Sequence, residues 1–163
     1  MVELELQNPY AFDTVPVESD LTKWVNSALQ TSNDDSQTLV IRVVNEEEGT
    51  DLNQTYRMKN SATNVLSFPY EVPEYVVDIP ELQEEYSQQH LGDLVFCEKV
   101  VIEEAKEQNK SLEQHWAHLV IHGVLHLQGF DHVDDDDAIK MESLEIEILE
   151  SLGFDNPYDI TNK

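Results

Sequence analysis

Three features are scarce in this 163-residue sequence, and each scarcity argues against a class of protein. Cys97 is the sole cysteine, which excludes an internal disulfide and is typical of a reducing compartment. The longest nearly apolar run, residues 119–127, is interrupted by His122 and His126 and is shorter than the roughly 20 apolar residues that a membrane span needs. The N-terminus is acidic where a signal peptide is basic, and no apolar segment follows. We therefore expect a cytoplasmic protein without a membrane partner.

Basic residues are the fourth scarcity. Nine Lys and Arg stand against 34 Asp and Glu, so the formal net charge is −25. Such a charge repels nucleic acid at long range and, taken alone, argues against an RNA or DNA partner. Two explanations compete. The acidic residues are spread over the whole surface and increase solubility, or they are concentrated locally, as at residues 46–48 and 134–137. In such a chain an arginine is informative, and only Arg42 and Arg57 are present.

Periodicity along the chain predicts strands interspersed with helices, and then helices clustered in the C-terminal half. Alternating or β-branched segments predict strands at residues 2–6, 38–44, 65–69 and 90–96. Helices are expected at about 20–30, 46–56, 98–108, 111–128 and 134–152, and a surface loop at 70–89. This order favours one α+β domain over residues 1–163, with one mixed sheet of about four strands packed by helices.

Individual residues refine the helix boundaries. Asp20 is a candidate N-cap for the first helix, and Ser111 with Gln114 forms a plausible capping box for the fourth. Gly129 and Gly153 suit the left-handed residue that ends a helix. The segment 38–44 is apolar enough to predict a strand buried on both faces. The apolar stripe of the last helix is expected to comprise Ile139, Leu144, Ile148, Leu149 and Leu152.

The strongest chemical signal is a group of three histidines with the spacing His-x3-His-x5-His. His122 and His126 lie four residues apart on a predicted helix, so both imidazoles project from one face. Gly129 allows a sharp turn that brings His132 back toward the same point. Three neutral imidazoles leave an ion such as Zn²⁺ an open position for water, which is the catalytic arrangement. We therefore predict a metal-dependent hydrolase that binds one ion, although imidazole also suits Cu, Fe and Ni.

Two neighbouring histidines are ambiguous. His115 is expected at the surface, whereas His118, one turn before His122, is expected either to support the ligands or to lie in the core. The histidine spacing equals that of the metzincin peptidases, but Gly123 stands where those enzymes carry their general-base glutamate. A metzincin-like peptidase is therefore the weakest alternative.

The residues His118–His132 resemble the signature of the YbeY family of bacterial metal-dependent endoribonucleases. Further blocks match that family in the same order: Leu52–Arg57, Thr63–Pro69, Leu91–Val95 and Met141–Gly153. The resemblance spans most of the chain, with the segment 70–89 the least typical. Asn64 and Gln128 depart from the usual Asp and Leu, and neither is a proposed ligand.

The resemblance implies an α+β fold with zinc at His122, His126 and His132. It implies cleavage of single-stranded RNA, maturation of the 3′ end of 16S ribosomal RNA on the small ribosomal subunit, and ribosome quality control. Arg57 falls on the arginine that is functionally important in the family, where a guanidinium would hold a phosphodiester bidentately.

The chemical step remains open from the sequence. Water activated by the ion, His118 and Asp131 are all candidates for the general base, and either water or the RNA 2′-hydroxyl could attack. We expect the ion, Arg57 and Lys59 to form a local positive patch within a negative surface. The alternative is a non-catalytic, metal-stabilised assembly factor whose acids bind ribosomal proteins.

Overall fold

The computed structural model describes residues 2–29, 37–57, 64–69, 90–130 and 135–157. The strands within these ranges are β1 (Val2–Gln7), β2 (Gln37–Val44), β3 (Val65–Pro69) and β4 (His90–Cys97). The helices are α1 (Glu18–Ala28), α2 (Glu46–Arg57), α3 (Glu98–Glu107), α4 (Leu112–Leu127) and α5 (Asp135–Ser151). None of these helices is long and apolar enough to cross a membrane. The segment predicted as a surface loop, 70–89, lies outside the described residues.

The four strands form one mixed sheet in the order β1-β2-β4-β3. β1, β2 and β4 are parallel, while β3 runs antiparallel to β4 at one edge. Parallel neighbours need a crossover connection, and α1 lies between β1 and β2 in the sequence. The α+β class and the mixed four-stranded sheet are both confirmed.

Alternate residues of β4 point to opposite faces of the sheet and enter different cores. Leu94 and Phe96 join the larger core, which is filled by α1, α4 and α5. Val95 and Cys97 join a small cluster on the other face, against which Leu52 of α2 packs. Burial raises the pKa of the Cys97 thiol, which keeps it protonated. Thus α4, which carries the histidines, and α2, which ends at Arg57, lie on opposite faces of the sheet.

β2 corrects one expectation. Its residues Thr38, Val40 and Arg42 are only half-buried, whereas the alternate residues Leu39 and Ile41 are fully buried. The strand is therefore buried on one face along most of its length. Within the described residues, α2 covers the opposite face only near the end of β2, at Val44.

α4 begins and ends where the sequence predicts. The side chain of Ser111 accepts a hydrogen bond from the backbone N–H of Gln114 at 3.1 Å, which satisfies one donor of the first turn. Gly129 follows the helix with φ of +100°, a conformation that favours glycine. Gly153 likewise follows α5 with φ of +91°.

Two boundary and burial predictions are wrong. The N-cap position of α1 is Val17, which makes no side-chain cap hydrogen bond, and the helix starts at Glu18. Asp20 therefore lies in the first turn, where its charge suits the helix dipole. Ile139 is 61% exposed, because the buried positions of α5 are Met141, Glu145, Ile148 and Leu149. Residue 139 precedes Met141 by two positions, about 200° around a helix, and so faces outward.

Candidate metal centre

His122 and His126 lie on one face of α4 with their rings turned toward each other. The two Nε2 atoms are 3.1 Å apart, and the ring centroids are separated by 4.6 Å at an interplanar angle of 76°. Both side chains are partly exposed, so solutes can approach them from one side. The arrangement follows from local helix geometry, since side chains at i and i+4 stack on one face.

The third predicted ligand, His132, lies outside the described residues. The chain is described as far as Phe130, whose N–H donates to the carbonyl of Leu125 at 3.1 Å as the helix ends. Within the described ranges, no group of three side chains has the arrangement of a metal site. Ligation by His132 therefore stays a prediction, as does the role of Asp131.

A buried carboxylate lies beside the histidine pair. The side chain of Glu145, on α5, has 0% of its surface exposed. Its Oε1 forms a hydrogen bond with Nδ1 of His122, and its Oε2 is 3.4 Å from Nε2 of His118. A buried carboxylate is tolerated when polar groups compensate it; here Oε1 is hydrogen-bonded to His122, and Oε2 lies within ion-pair distance of His118.

Glu145 was not found from the sequence. The sequence does indicate its burial, because Glu145 lies four residues after Met141 and four before Leu149, on the buried side of α5. A glutamate inside an apolar stripe must have a partner, and the histidines of α4 were the evident candidates.

His118 lies beside Glu145 and not in a purely apolar environment. Its side chain is 12% exposed and directs Nε2 toward Glu145. Its ring lies 6.3 Å from that of His122 in an edge-on arrangement. Support of the ligands and the role as general base both stay predictions for His118.

His115 is buried, so its expected surface position is wrong. Its Nε2 lies 3.0 Å from Oε1 of Glu104 on α3, and Glu104 also accepts from the amide of Asn64 at 3.1 Å. Burial lowers the pKa of His115, and the hydrogen bond with Glu104 partly opposes that shift. Docking of α3 against α4 determines this contact, and it could not be predicted from the spacing of residues in α4 alone.

Gly123 faces the sheet rather than the histidine side of α4. A Cβ built on it would lie 2.8 Å from Cδ2 of Leu94, closer than real Cβ contacts. Glycine therefore lets α4 approach β4, and a side chain here would enter the core. The position that holds the general base in metzincins offers no room for a glutamate, which argues against the peptidase alternative.

Arg57 is the last residue of α2. The placement of its side chain lies outside the described part of the structure, as does the whole of Lys59. The predicted positive patch near the histidines is therefore not tested by the structure.

Arg42, the other arginine, has a structural role. It donates to both carboxylate oxygens of Glu48, from Nε at 2.7 Å and from Nη2 at 2.9 Å, and also to Oε1 of Gln7 at 3.1 Å. Tyr10 donates to the same carboxylate at 2.6 Å. The guanidinium holds the pKa of Glu48 below its ordinary value.

Comparison with known proteins identifies similar chains over nearly the full length. The family model described as Endoribonuclease YbeY matches residues 5–153. A protein named Endoribonuclease YbeY from Hydrogenovibrio crunogenus is 54% identical over 146 residues, covering 89% of this chain and 88% of that protein. One of the same name from Pseudomonas putida strain F1 is 51% identical over 158 residues, covering 97% and 94%.

A solved structure shares the fold. The solution structure of TM1509 from Thermotoga maritima has a TM-score of 0.53 and 23% sequence identity, and the match covers 94% of this chain and 92% of that one. At this identity the likeness supports the α+β architecture alone.

Proposed function

The chain belongs to the endoribonuclease YbeY family, and on that premise we propose that it is a metal-dependent, single-strand-specific endoribonuclease. We further propose that it matures the 3′ end of 16S ribosomal RNA in the cytoplasm, on the small ribosomal subunit, and acts in ribosome quality control. The observation that carries the metal-dependent part is the facing pair of His122 and His126, of which His122 is hydrogen-bonded to the buried carboxylate of Glu145.

The described residues fit a zinc ion. Two nitrogens that bind one tetrahedral ion at 2.0–2.1 Å lie about 3.3 Å apart, and the two Nε2 atoms here are 3.1 Å apart. A carboxylate that accepts from the other nitrogen of a ligating histidine is the usual support of such sites, and Glu145 occupies that position. We propose His132 as the third ligand. When bound, the ion would polarise a phosphate oxygen and lower the pKa of water to about 7.

The protein's own residues would divide the remaining work. His122, His126 and His132 would hold the ion, and Arg57 would bind the phosphodiester through two parallel N–H donors. His118 directs Nε2 toward Glu145, which supports a role in holding that carboxylate over one as the general base. Asp131 remains the other protein candidate for the base.

The net charge of −25 shapes the proposed encounter with RNA. Long-range repulsion must be overcome by local attraction, which we assign to the ion, Arg57 and Lys59. Free RNA should then bind weakly. The acidic surface complements basic ribosomal proteins, so contacts with them or with assembly factors would concentrate the enzyme at its substrate.

The test is cleavage of an end-labelled single-stranded RNA by wild type and by His126→Ala, purified in parallel. We expect wild type to cut, chelation to stop it, and added zinc to restore it, whereas His126→Ala stays inactive. Equal cutting by both proteins would contradict the assignment and indicate a contaminating nuclease. If neither protein cuts while wild type retains one equivalent of metal, the non-catalytic assembly factor becomes the better description.

A further inference from the structure

We infer that Glu145 is a positioning residue that fixes the tautomer and orientation of His122, so that Nε2 of His122 faces the metal position. The inference rests on the proposed metal site and deepens it, because it adds a residue on a different helix that determines how well the site binds. It also gives His118 a role, which is to bind the second oxygen of the same carboxylate.

The first step is the burial of Glu145. A carboxylate with 0% of its side chain exposed loses its hydration and must be compensated by donors. In the described residues, Nδ1 of His122 is hydrogen-bonded to one oxygen, and Nε2 of His118 lies 3.4 Å from the other. An apolar residue would pack here without this cost, as Met141 and Leu149 do one turn away on either side. Burial of an acid at this point is therefore explained by the histidines and not by packing.

The second step is the direction of each nitrogen. Ionised Glu145 only accepts hydrogen bonds, so Nδ1 of His122 must carry the hydrogen. The neutral ring then has its lone pair on Nε2, and that atom is the one 3.1 Å from Nε2 of His126. Without the carboxylate, His122 could adopt the other tautomer or rotate, and its lone pair would leave the site.

The third step is rigidity. Glu145 is 23 residues from His122 in sequence and reaches it only because α5 packs on α4. Met141 and Leu149, one turn before and after Glu145, are fully buried in the core to which α4 also contributes. The affinity of the metal site is thereby coupled to the docking of the last helix.

The test compares zinc affinity in two glutamate variants. Glu145→Gln keeps the volume but offers one acceptor to two histidine donors, and Glu145→Met removes both acceptors. The matched control is Glu104→Gln, because Glu104 contacts His115 on the same helix but not His122. By competition with a chromophoric chelator, we expect the zinc dissociation constant to rise about 10- to 100-fold in the Glu145 variants, with Met above Gln, and to stay within about twofold in the control.

Thermal unfolding separates positioning from a purely structural role. Loss of the carboxylate removes its desolvation cost but leaves a histidine N–H without its acceptor, so the metal-free protein should lose little stability, whereas the rise in Tm on adding zinc should shrink. Metal-free stability that falls while the zinc-induced rise is unchanged would overturn the inference and leave the metal site intact. Failure of wild type to bind zinc would overturn both the positioning role of Glu145 and the proposed metal site.

A measurement on unmodified protein covers the case in which the variants do not fold. Two-dimensional ¹H–¹⁵N NMR of histidine side chains distinguishes the two tautomers, with the His122 signals assigned through a His122→Asn variant. At about pH 8, where an ordinary imidazole is neutral, we expect the metal-free protein to show hydrogen on Nδ1 of His122. Hydrogen on Nε2 would overturn the inference without bearing on whether zinc binds.

Discussion

Gly123 on α4 lies directly against Leu94 on β4, so that a Cβ at position 123 would come within 2.8 Å of the leucine Cδ2. Alanine is favoured over glycine in a helix by up to about 1 kcal/mol, but forcing extra atoms into a packed core costs about 1–3 kcal/mol. We expect Gly123→Ala to lower the free energy of unfolding by about 1 kcal/mol, measured by urea denaturation.

A double-mutant cycle checks the cause. Leu94→Ala in the same protein should remove the clash, so the penalty of Gly123→Ala should vanish or reverse in that background. An increase in stability from Gly123→Ala alone would show that Leu94 moves aside at no cost. Gly123→Glu should be far more destabilising, because it places a carboxylate in the core, and it should not produce a peptidase.

The parts of the site that depend on local geometry could be predicted from sequence. The facing of His122 and His126 requires only a helix, and the helix is marked at its ends by Ser111 and Gly129. Four strands and their helices followed from periodicity, and the sheet proved mixed as expected.

The parts of the site that depend on packing between helices could not be predicted from the sequence. Glu145 meets His122 across 23 residues of sequence, and His115 meets Glu104 across 11. Each contact depends on how one helix is rotated against another. The apolar stripe predicted for α5 gave the wrong rotation, because it included the exposed Ile139. The same reasoning explains why His115 was expected at the surface, since its contact with Glu104 depends on the docking of α3.

The buried His115 should make stability fall as pH falls. Its pKa is lowered by burial in the folded state, so below the ordinary histidine pKa of about 6.5 the unfolded chain binds more protons than the folded one. The contribution of His115 to the free energy of unfolding is therefore fully present above that pH and is lost as the pH decreases toward the pKa of the folded state. The groups around the ring are Glu104 on α3, Lys110 and His118.

We expect His115→Gln, which cannot titrate, to flatten part of the decline in Tm between about pH 7.5 and pH 5. Both proteins should be measured with a chelator, so that loss of metal from the other histidines does not contribute. An unchanged pH profile would show that other groups account for the decline, and a steeper one would contradict the lowered pKa.

Zinc should stabilise the fold through His122 and His126. A ligand that binds only the folded state at 100 times its dissociation constant adds about 2.7 kcal/mol to the free energy of unfolding. We expect a corresponding rise in Tm for wild type and none for His126→Ala. His115→Gln is the control, since it alters a histidine of the same helix and should keep the rise. A rise retained by His126→Ala would place the ion elsewhere.

Arg57→Lys tests whether the guanidinium binds the phosphodiester. Lysine keeps the charge but cannot donate two parallel hydrogen bonds, so kcat/KM for single-stranded RNA should fall about 10- to 100-fold. The Tm should change little, because Arg57 is the last residue of α2. Arg42→Lys gives the contrasting result, since Arg42 is paired with Glu48 and Gln7: it should lower stability more than activity. Equal activity of Arg57→Lys and wild type would remove Arg57 from the proposed site.

The response to salt should be the reverse of that shown by most RNA-binding proteins. A basic surface that releases counterions from phosphates loses affinity steeply as salt increases. Here the net charge of −25 repels RNA over a distance of about one Debye length, which shrinks from about 30 Å at 0.01 M to 10 Å at 0.1 M ionic strength. Screening should therefore assist the encounter more than it weakens the few local contacts. We expect kcat/KM at subsaturating RNA to stay level or rise as monovalent salt increases over that range at fixed zinc. A steep fall in kcat/KM would contradict this expectation and show that RNA binds to a locally basic surface despite the 34 acids of the sequence.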